Sequence, residues 1–153
     1  MPKNKNKNFF INWILNDEIA IGPAPLVDEH ILMLKEKNIQ GILSLCSVKE
    51  ANPPINIEEL FFCKRVVLPD HTYDRVMNIE ELNLALSMLE DLRKKGSIFV
   101  HCKAAIERSP LVCMAWLIKK RDLTIQQSLD YLMSVNKGTC PLNDQLSLLK
   151  DLN

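Results

Sequence analysis

The stretch HCKAAIERSP, residues 101–110, joins an apolar run typical of a buried strand to a segment typical of a helix. The strand is SIFVHC (97–102), and we expect the helix to begin at about Arg108, because LVCMAWLI follows and is apolar on every side. Two ordinary interpretations exist: a buried thiol beside a solvated arginine, or a simple strand-to-helix turn. The third interpretation is an anion-binding loop that carries a nucleophile.

The residues of this loop suit a phosphate ligand. Cys102 and Arg108 bracket five residues, so the loop can curl its amides around one anion, and the helix N-terminus adds partial positive charge. Arg108 offers a planar fork for two phosphate oxygens, and the same field favours the thiolate form of Cys102. Ser109 is positioned to donate a hydrogen bond to that thiolate. His101 is expected on the opposite side of its strand, where it holds the loop from behind.

Strands and helices alternate along the rest of the chain. Strands are predicted twice within NWILNDEIAIGP, in GILSLC (41–46) and in CKRVVLP (63–69), and helices at 27–38, at 79–92, in TIQQSLDYLMSVN and in LNDQLSLLKDL. This alternation predicts a single α/β domain with a central, mainly parallel sheet flanked by helices. Ligands of such folds bind beyond the carboxyl ends of the strands, and Cys102 lies at such an end.

Composition narrows the class of function. The 153 residues carry 19 basic and 19 acidic side chains, so we expect neither a nucleic-acid nor a membrane partner. The start, MPKNKNKN, predicts a disordered tail at 1–8 and leaves 9–153 for the domain. No segment approaches the length of a bilayer span. The 5 cysteines are odd in number and lack CxxC spacing, which argues against a disulfide framework and a zinc site and favours the cytoplasm.

A proton donor is expected on a neighbouring loop. A thiolate that attacks a phosphate ester releases an alkoxide or phenoxide, which needs a proton. LPDHTYD (68–74) follows the strand CKRVVLP and offers two aspartates. Asp70 lies nearer the strand end and is the better-placed general acid, whereas Asp74 is the candidate for capping or stabilising the loop. An aspartate after proline is also common in ordinary turns.

VHCKAAIERSP resembles the signature of the cysteine-dependent protein tyrosine phosphatases, in which His-Cys is followed by five residues, Arg, and Ser or Thr. The short chain and the LPDH loop are similar to the compact dual-specificity branch. The order of the motifs also fits that branch, because Asp70 precedes Cys102 by about one strand and one helix. Low-molecular-weight phosphatases and arsenate reductases have the reverse order, with the aspartate far downstream.

The resemblance implies a role for each matching residue. Cys102 is the expected nucleophile, which forms a cysteinyl-phosphate intermediate. Asp70 is the expected donor to the leaving oxygen and then the base that activates water, while Ser109 assists breakdown of the intermediate. No metal or other cofactor is required, because arginine and backbone dipoles stabilise the charge. The implied substrates are phosphorylated proteins, on phosphotyrosine and on phosphoserine or phosphothreonine, or small phosphomonoesters. The implied phosphate-binding residues are Lys103, Ala104, Ala105, Ile106, Glu107 and Arg108.

Parts of the loop depart from the family pattern. Ala105 stands where glycine is usual, at a cost of roughly 1 kcal/mol if its φ is positive. Glu107 adds a carboxylate beside the phosphate, and we expect it to point outward and pair with a neighbouring base, with Lys103 a solvated rim residue. The departures leave a second function open: a catalytically weak or inactive phosphatase-like module that binds phosphorylated partners. The enzyme is favoured, since a pure binder does not need the acid.

Two further residues carry open alternatives. Cys46 ends the strand GILSLC, which we place beside the strand of Cys102. Cys46 is therefore either a reversible disulfide partner of Cys102 or a small core residue. Gln145, in PLNDQ, has two interpretations. It either occupies a place that resembles a family position at the pocket rim, or it is a polar residue on the exposed side of a terminal helix. The substrate within the phosphomonoester class and the oligomeric state are not specified by these patterns.

Overall fold

The computed structural model describes residues 8–152, so the tail predicted at 1–8 lies, apart from Asn8, outside the described residues. Five strands form in this range: β1 (Asn12–Leu15), β2 (Ile19–Gly22), β3 (Ile39–Ser44), β4 (Phe62–Arg65) and β5 (Ser97–His101). The helices are α1 (Asp28–Glu36), α2 (Ile57–Leu60), α3 (Ile79–Arg93), α4 (Arg108–Arg121), α5 (Ile125–Val135) and α6 (Asn143–Leu148).

The strands form one sheet in the order β1-β2-β5-β3-β4. β1 is antiparallel to β2, and the pairs β2–β5, β5–β3 and β3–β4 are parallel. The predicted α/β domain with a central, mainly parallel sheet is therefore confirmed. Because four strands run the same way, their carboxyl ends meet at one edge of the sheet, and the loops after β2, β3, β4 and β5 converge there.

Apolar side chains cover both faces of the sheet, and β5 shows why. Its residues alternate, so Ile98 and Val100 pack into the core beneath α3 and α4, while Phe99 packs into the core on the α1 face. α4 is buried along its first ten residues, 108–117, as its all-round apolar sequence predicts. The helix therefore begins inside the protein, directly behind the loop that follows β5.

The segment that follows β4 differs from the prediction. A strand was expected over 63–69, but regular pairing ends at Arg65. Beyond it, only the amides of Val66 and Leu68 bond to β3 and its extension, donating to the carbonyls of Ser44 and Leu45. Pro69 has no amide hydrogen to continue a ladder, so the chain leaves the sheet as an irregular loop at this edge.

The start of α3 is set by a capping box. The Asn78 side chain accepts a hydrogen bond from the Glu81 amide at 2.9 Å, and the Glu81 carboxylate accepts one from the Asn78 amide at 3.2 Å. Among residues 8–152, none of the helices combines the length and apolar character that a bilayer span requires.

Candidate active site

Cys102 lies directly after β5, at the edge where the parallel strands end. Its Sγ is 3.2 Å from the Oγ of Ser109 in the first turn of α4, and both residues are buried. The alternation of β5 continues through this point, so Cys102 packs into the same core as Val100. The strand and the helix thus hold a thiol and a hydroxyl in hydrogen-bonding contact.

The loop between β5 and α4 turns its carbonyl groups away from the thiol. The carbonyls of Lys103, Ala105 and Ile106 accept hydrogen bonds from the Ala24 amide (3.2 Å), the Asn136 side chain (3.0 Å) and the Cys140 amide (2.7 Å), respectively. In the described part of the chain, no protein group accepts a hydrogen bond from the amides of residues 103–107. These amides, together with the N-terminus of α4, are therefore available to an anion.

Ala105 adopts the backbone conformation that glycine usually supplies. Its φ is 60°, in the left-handed region, which costs an alanine on the order of 1 kcal/mol. The strained residue is held from behind by Asn136, which is fully buried and also accepts a hydrogen bond from the Asn12 side chain at 3.2 Å. The loop thus adopts this left-handed turn with alanine in place of the usual glycine, because packing and the buried Asn136 amide offset the strain.

His101 lies behind the loop, on the face of β5 opposite Cys102. Its Nδ1 donates to the Cys102 carbonyl at 2.9 Å, so its Nε2 accepts from the Ser44 hydroxyl at 2.7 Å. Burial lowers the pKa of this imidazole to about 4, so the ring is neutral at pH 7. A neutral ring with both nitrogens bonded links the end of β3 to the backbone of Cys102.

Arg108 is a buried cation whose main partner is Glu50. The Arg108 side chain bonds both Glu50 oxygens, at 3.0 and 3.2 Å, and donates to the Leu68 carbonyl at 2.9 Å. Burial raises the Glu50 pKa, but hydrogen bonds from Arg108 and the Ser47 amide outweigh it and bring that pKa to about 2. Sequence reasoning missed Glu50, because nothing in VKEANPP separates it from an ordinary loop glutamate.

Asp70 lies on the loop after β4 and faces Arg108. Its Oδ2 is 3.4 Å from an Arg108 nitrogen, and its Oδ1 accepts from the Thr72 amide and hydroxyl at 2.9 and 2.5 Å. Burial raises the Asp70 pKa, yet the Thr72 hydrogen bonds and the Arg108 charge outweigh it, so the pKa lies below its usual value. Asp74, the alternative carboxylate, is exposed.

Glu107 does not point outward, so that expectation is wrong. Its carboxylate is 11% exposed and accepts from the His71 amide (3.1 Å), contacts His71 Nδ1 (2.5 Å) and accepts from Gln145 Nε2 (3.2 Å). The predicted pairing with a base exists, with His71 as the base. The exposed alternative for Gln145 is also wrong, since this side chain is buried. Glu107 therefore ties the loop between β5 and α4 to the loop that carries Asp70.

The remaining candidates lie on the rim or in the core. Lys103, Ala104 and Ile106 are exposed around a cavity of about 340 Å³ that Cys102 and Asp70 also line. Cys46 follows β3 and is fully buried, and the Leu45 amide beside it bonds the His101 carbonyl at 2.9 Å. Burial is the main influence on the Cys46 thiol and raises its pKa. Within residues 8–152, no group of three or more His, Cys, Asp or Glu side chains is arranged to hold a metal ion.

Two named phosphatases are similar in sequence to parts of this chain. The human dual specificity protein phosphatase 5 is 36% identical over 63 residues, which cover 40% of this chain and 16% of that protein. The Arabidopsis thaliana phosphatidylglycerophosphate phosphatase PTPMT2 is 24% identical over 124 residues, 80% of this chain and 54% of that protein. The chain thus spans about half the length of these relatives, or less.

Solved structures share the fold of this chain. The structure of Tk-PTP in its active form superposes with a TM-score of 0.78 at 20% identity, over 93% of this chain and 95% of that one, which establishes the shared fold. The family described as "Dual specificity phosphatase, catalytic domain" matches residues 26–153. The chain therefore belongs to the dual specificity phosphatase catalytic-domain family, as its HCKAAIERSP loop predicted.

Proposed function

We propose that this protein hydrolyses phosphomonoesters through a cysteinyl-phosphate intermediate. One observation carries the proposal: the Cys102 thiol lies within a loop whose amides have no protein acceptor among the described residues, beside Ser109, Arg108 and Asp70. A cradle of amides and a buried guanidinium suit a dianion, and the thiol at its base suits attack on phosphorus. Membership of the phosphatase family supports the same chemistry.

The proposed reaction has two steps. In the first, the Cys102 thiolate attacks phosphorus, the bond from phosphorus to the ester oxygen breaks, and the protonated Asp70 gives its proton to that oxygen. In the second, the Asp70 carboxylate takes a proton from water, the water oxygen attacks phosphorus, and the S–P bond breaks to release inorganic phosphate. Ser109 donates a hydrogen bond to the departing thiolate, which lies 3.2 Å away.

Arg108 is proposed to bind two phosphoryl oxygens, and Glu50 prepares it to do so. Glu50 bonds both terminal nitrogens of the guanidinium and the Leu68 carbonyl bonds one of them, while no protein acceptor among residues 8–152 takes the Nε hydrogen. A donor held in place before substrate arrives needs no reorganisation during the reaction. Glu50 is thus proposed as a positioning residue for the phosphate-binding arginine.

The substrate class is proposed to include aryl and alkyl phosphates, the chemistry of phosphotyrosine and of phosphoserine or phosphothreonine. Support comes from the family, whose description names dual specificity. The exposed rim residues Lys103, Ala104 and Ile106 leave the cavity above Cys102 accessible to either type of ester.

The proposal is tested by trapping the intermediate. Wild-type protein is mixed with p-nitrophenyl phosphate and quenched in acid within a turnover, and the digest is analysed by mass spectrometry. We expect release of p-nitrophenol and a phosphoryl adduct on the peptide that carries Cys102. Absence of release and of adduct, with inorganic phosphate still bound, contradicts the enzyme and favours the binding module.

We predict that Glu107→Ala impairs proton donation more than phosphate binding. Without this carboxylate the loop that carries Asp70 loses its link to the phosphate loop, and a misplaced acid costs on the order of tenfold to a hundredfold in rate. We expect kcat for an alkyl phosphate to fall by this amount while KM stays nearly constant. Turnover of p-nitrophenyl phosphate, whose leaving group needs little protonation, changes much less.

Glu107→Gln is the matched variant for this test, because an amide oxygen still accepts from the His71 amide. We expect it to recover part of the lost alkyl phosphatase activity. If Glu107→Ala lowers turnover of both substrates equally, or if urea unfolding shows that it unfolds the domain, the positioning role is contradicted.

Cys46 is proposed as a redox partner of Cys102. Hydrogen peroxide oxidises the Cys102 thiolate to sulfenic acid and releases hydroxide, and the Cys46 thiol then condenses with the sulfenic acid to a disulfide and releases water. The two residues follow neighbouring strands, β3 and β5. The chain's 5 cysteines, all unpaired in the structure, fit a reducing compartment, and we propose the cytoplasm.

We predict that Cys46 makes peroxide inactivation reversible. After mild peroxide, dithiothreitol is expected to restore most of the wild-type activity. The Cys46→Ser variant recovers little, because its sulfenic acid proceeds to sulfinic acid. Cys140→Ser, an exposed cysteine with the same substitution, behaves as wild type. Equal recovery in Cys46→Ser and wild type, with no bridged peptide after non-reducing digestion, contradicts the prediction.

A further inference from the structure

A second cavity adjoins the one above Cys102. It measures about 500 Å³, against about 340 Å³ for its neighbour, and the two share Glu50, Lys103 and Ala104 as a common wall. The shared residues come from the phosphate loop and from the loop after β3. A substituent on a phosphate bound over Cys102 therefore meets the second cavity directly. The reaction proposed above does not use this cavity.

The second cavity is lined mainly by apolar side chains, which come from the segment before β1, the loop after β2 and the loop after β3: Phe9, Phe10, Pro23, Ala24, Leu26 and Ala51. Phe10 and Leu26 are 36% and 40% exposed, although both are large hydrophobic residues. Solvent-exposed apolar surface that is gathered in a concave site beside a reaction centre is typical of ligand binding.

The wall behind this surface is a packed, ordered structure. The Phe9 ring stacks on the buried His30 ring with centroids 4.0 Å apart and an interplanar angle of 13°. His30 Nδ1 in turn accepts a hydrogen bond from the Leu26 amide at 2.9 Å, which fixes the loop after β2 against α1. The cavity is therefore held open by contacts of the fold itself, and a ligand needs little rearrangement to enter.

Charge in the cavity disfavours a second phosphate. The Glu50 carboxylate lines it and is ionised, since its pKa is about 2, and Lys103 is the only lysine or arginine among its described lining residues. Glu50 is already bonded to Arg108, the Ser47 amide and Tyr73. A peptide backbone also needs donors and acceptors, and an apolar wall offers few. A hydrocarbon group makes no such demand.

We propose that the preferred substrate is an amphiphilic phosphomonoester, whose phosphate binds over Cys102 while its hydrocarbon chain lies in the cavity formed by Phe9, Phe10 and Leu26. This inference rests on the proposed phosphatase function and narrows its substrate class. Lys103 lies between the two cavities and is positioned to face the polar group that joins phosphate to chain. Burial of methylene groups in the cavity supplies the selectivity over short or polar phosphates.

The test measures binding without turnover. A series of n-alkylphosphonates, from ethyl to decyl, is titrated by calorimetry into the wild-type chain of residues 1–153. These compounds have no P–O–C bond to the chain and are not hydrolysed. We expect Kd to fall by about fourfold for each methylene that enters the cavity, until it is filled. Equal affinity across the series overturns the proposal.

Substitutions in the second cavity test where the alkyl chain of the ligand binds. Phe10→Ser and Leu26→Ser alter partly exposed residues outside the reacting groups, and we expect each to reduce the gain per methylene while ethylphosphonate binds as in wild type. Leu32→Ser, the same substitution at a residue 62% exposed on α1, is the control and leaves the series unchanged. If Leu26→Ser and Phe10→Ser keep the full gain in affinity per methylene, the alkyl chain binds elsewhere and the proposal is wrong.

Two outcomes distinguish a hydrocarbon subsite from a peptide subsite and from the catalytic proposal. If a phosphopeptide with phenylalanine beside the phosphoresidue gains affinity from Phe10 and Leu26 while the alkyl series does not, the cavity takes a peptide side chain and the hydrocarbon proposal fails. If the alkyl series behaves as expected but p-nitrophenyl phosphate leaves no adduct on Cys102, the subsite stands and the catalytic proposal fails.

Discussion

Cys102→Ser is expected to lower kcat/KM for p-nitrophenyl phosphate by on the order of 10⁴-fold or more, because loss of the nucleophile removes the covalent route as a whole. The serine hydroxyl is far less ionised than a thiol at pH 7, so the loop amides and Arg108 then bind a phosphate with nothing to attack it. We expect inorganic phosphate to bind the variant at least as well as wild type.

The control for this loss is Cys63→Ser. Cys63 lies on β4, and burial raises its pKa to about 11, so it is a thiol of no catalytic use at neutral pH. The same substitution there is expected to leave kcat/KM unchanged. If kcat/KM of Cys102→Ser stays above about 10⁻⁴ of the Cys63→Ser value, another group performs the attack.

Asp70→Asn is expected to cost about 10²- to 10⁴-fold in kcat for an alkyl phosphate, the range for loss of a general acid. The cost is smaller for p-nitrophenyl phosphate, because nitrophenolate leaves readily without a proton. Asp74→Asn is the matched variant on the same loop, and since Asp74 is exposed we expect little change. Equal losses in the two variants contradict the assignment of the acid to Asp70.

The pH profile adds a second readout of Asp70. The first step needs this carboxyl protonated, and its pKa lies below the usual value because hydrogen bonds from Thr72 and the Arg108 charge outweigh burial. The protonated fraction therefore falls as pH rises through the acidic range, and wild-type kcat/KM falls with it. Asp70→Asn is expected to lack this decline. A decline that persists in the variant arises from another group.

Most of the fold followed from the sequence because its signals are local. A short apolar run identified β5, the apolar spacing over 79–92 identified α3, and the junction at Cys102 identified the edge of the sheet. The strand predicted at 63–69 ends at Arg65, since apolar residues alone do not show that Val66 and Leu68 bond to β3 without continuing a ladder. Hydrogen-bond partners across strands are a tertiary property.

In the candidate site, too, the residues defined by local spacing were predicted and those defined by tertiary contacts were not. Cys102, Arg108 and Ser109 were read from one loop, because their chemistry depends on close spacing in the chain. Glu50 was missed, since it lies 58 residues before Arg108 and meets it only when the loops after β3 and β5 converge. The orientation of Glu107 was misjudged for a related reason: its partner His71 lies 36 residues away, so no local pattern predicts the contact.

By itself the sequence determined the α/β fold, the loop of residues 102–108 and the loop with Asp70, because helix and strand periodicity and a five-residue spacing are encoded by neighbours in the chain. The tertiary structure decided how the loops meet: that Ala105 adopts a φ of 60°, that Glu107 links its loop to His71, and that an apolar cavity adjoins the one above Cys102. Those features arise where four parallel strands end at one edge of the sheet. There, packing between segments that are distant in the sequence sets the distances between the loop residues.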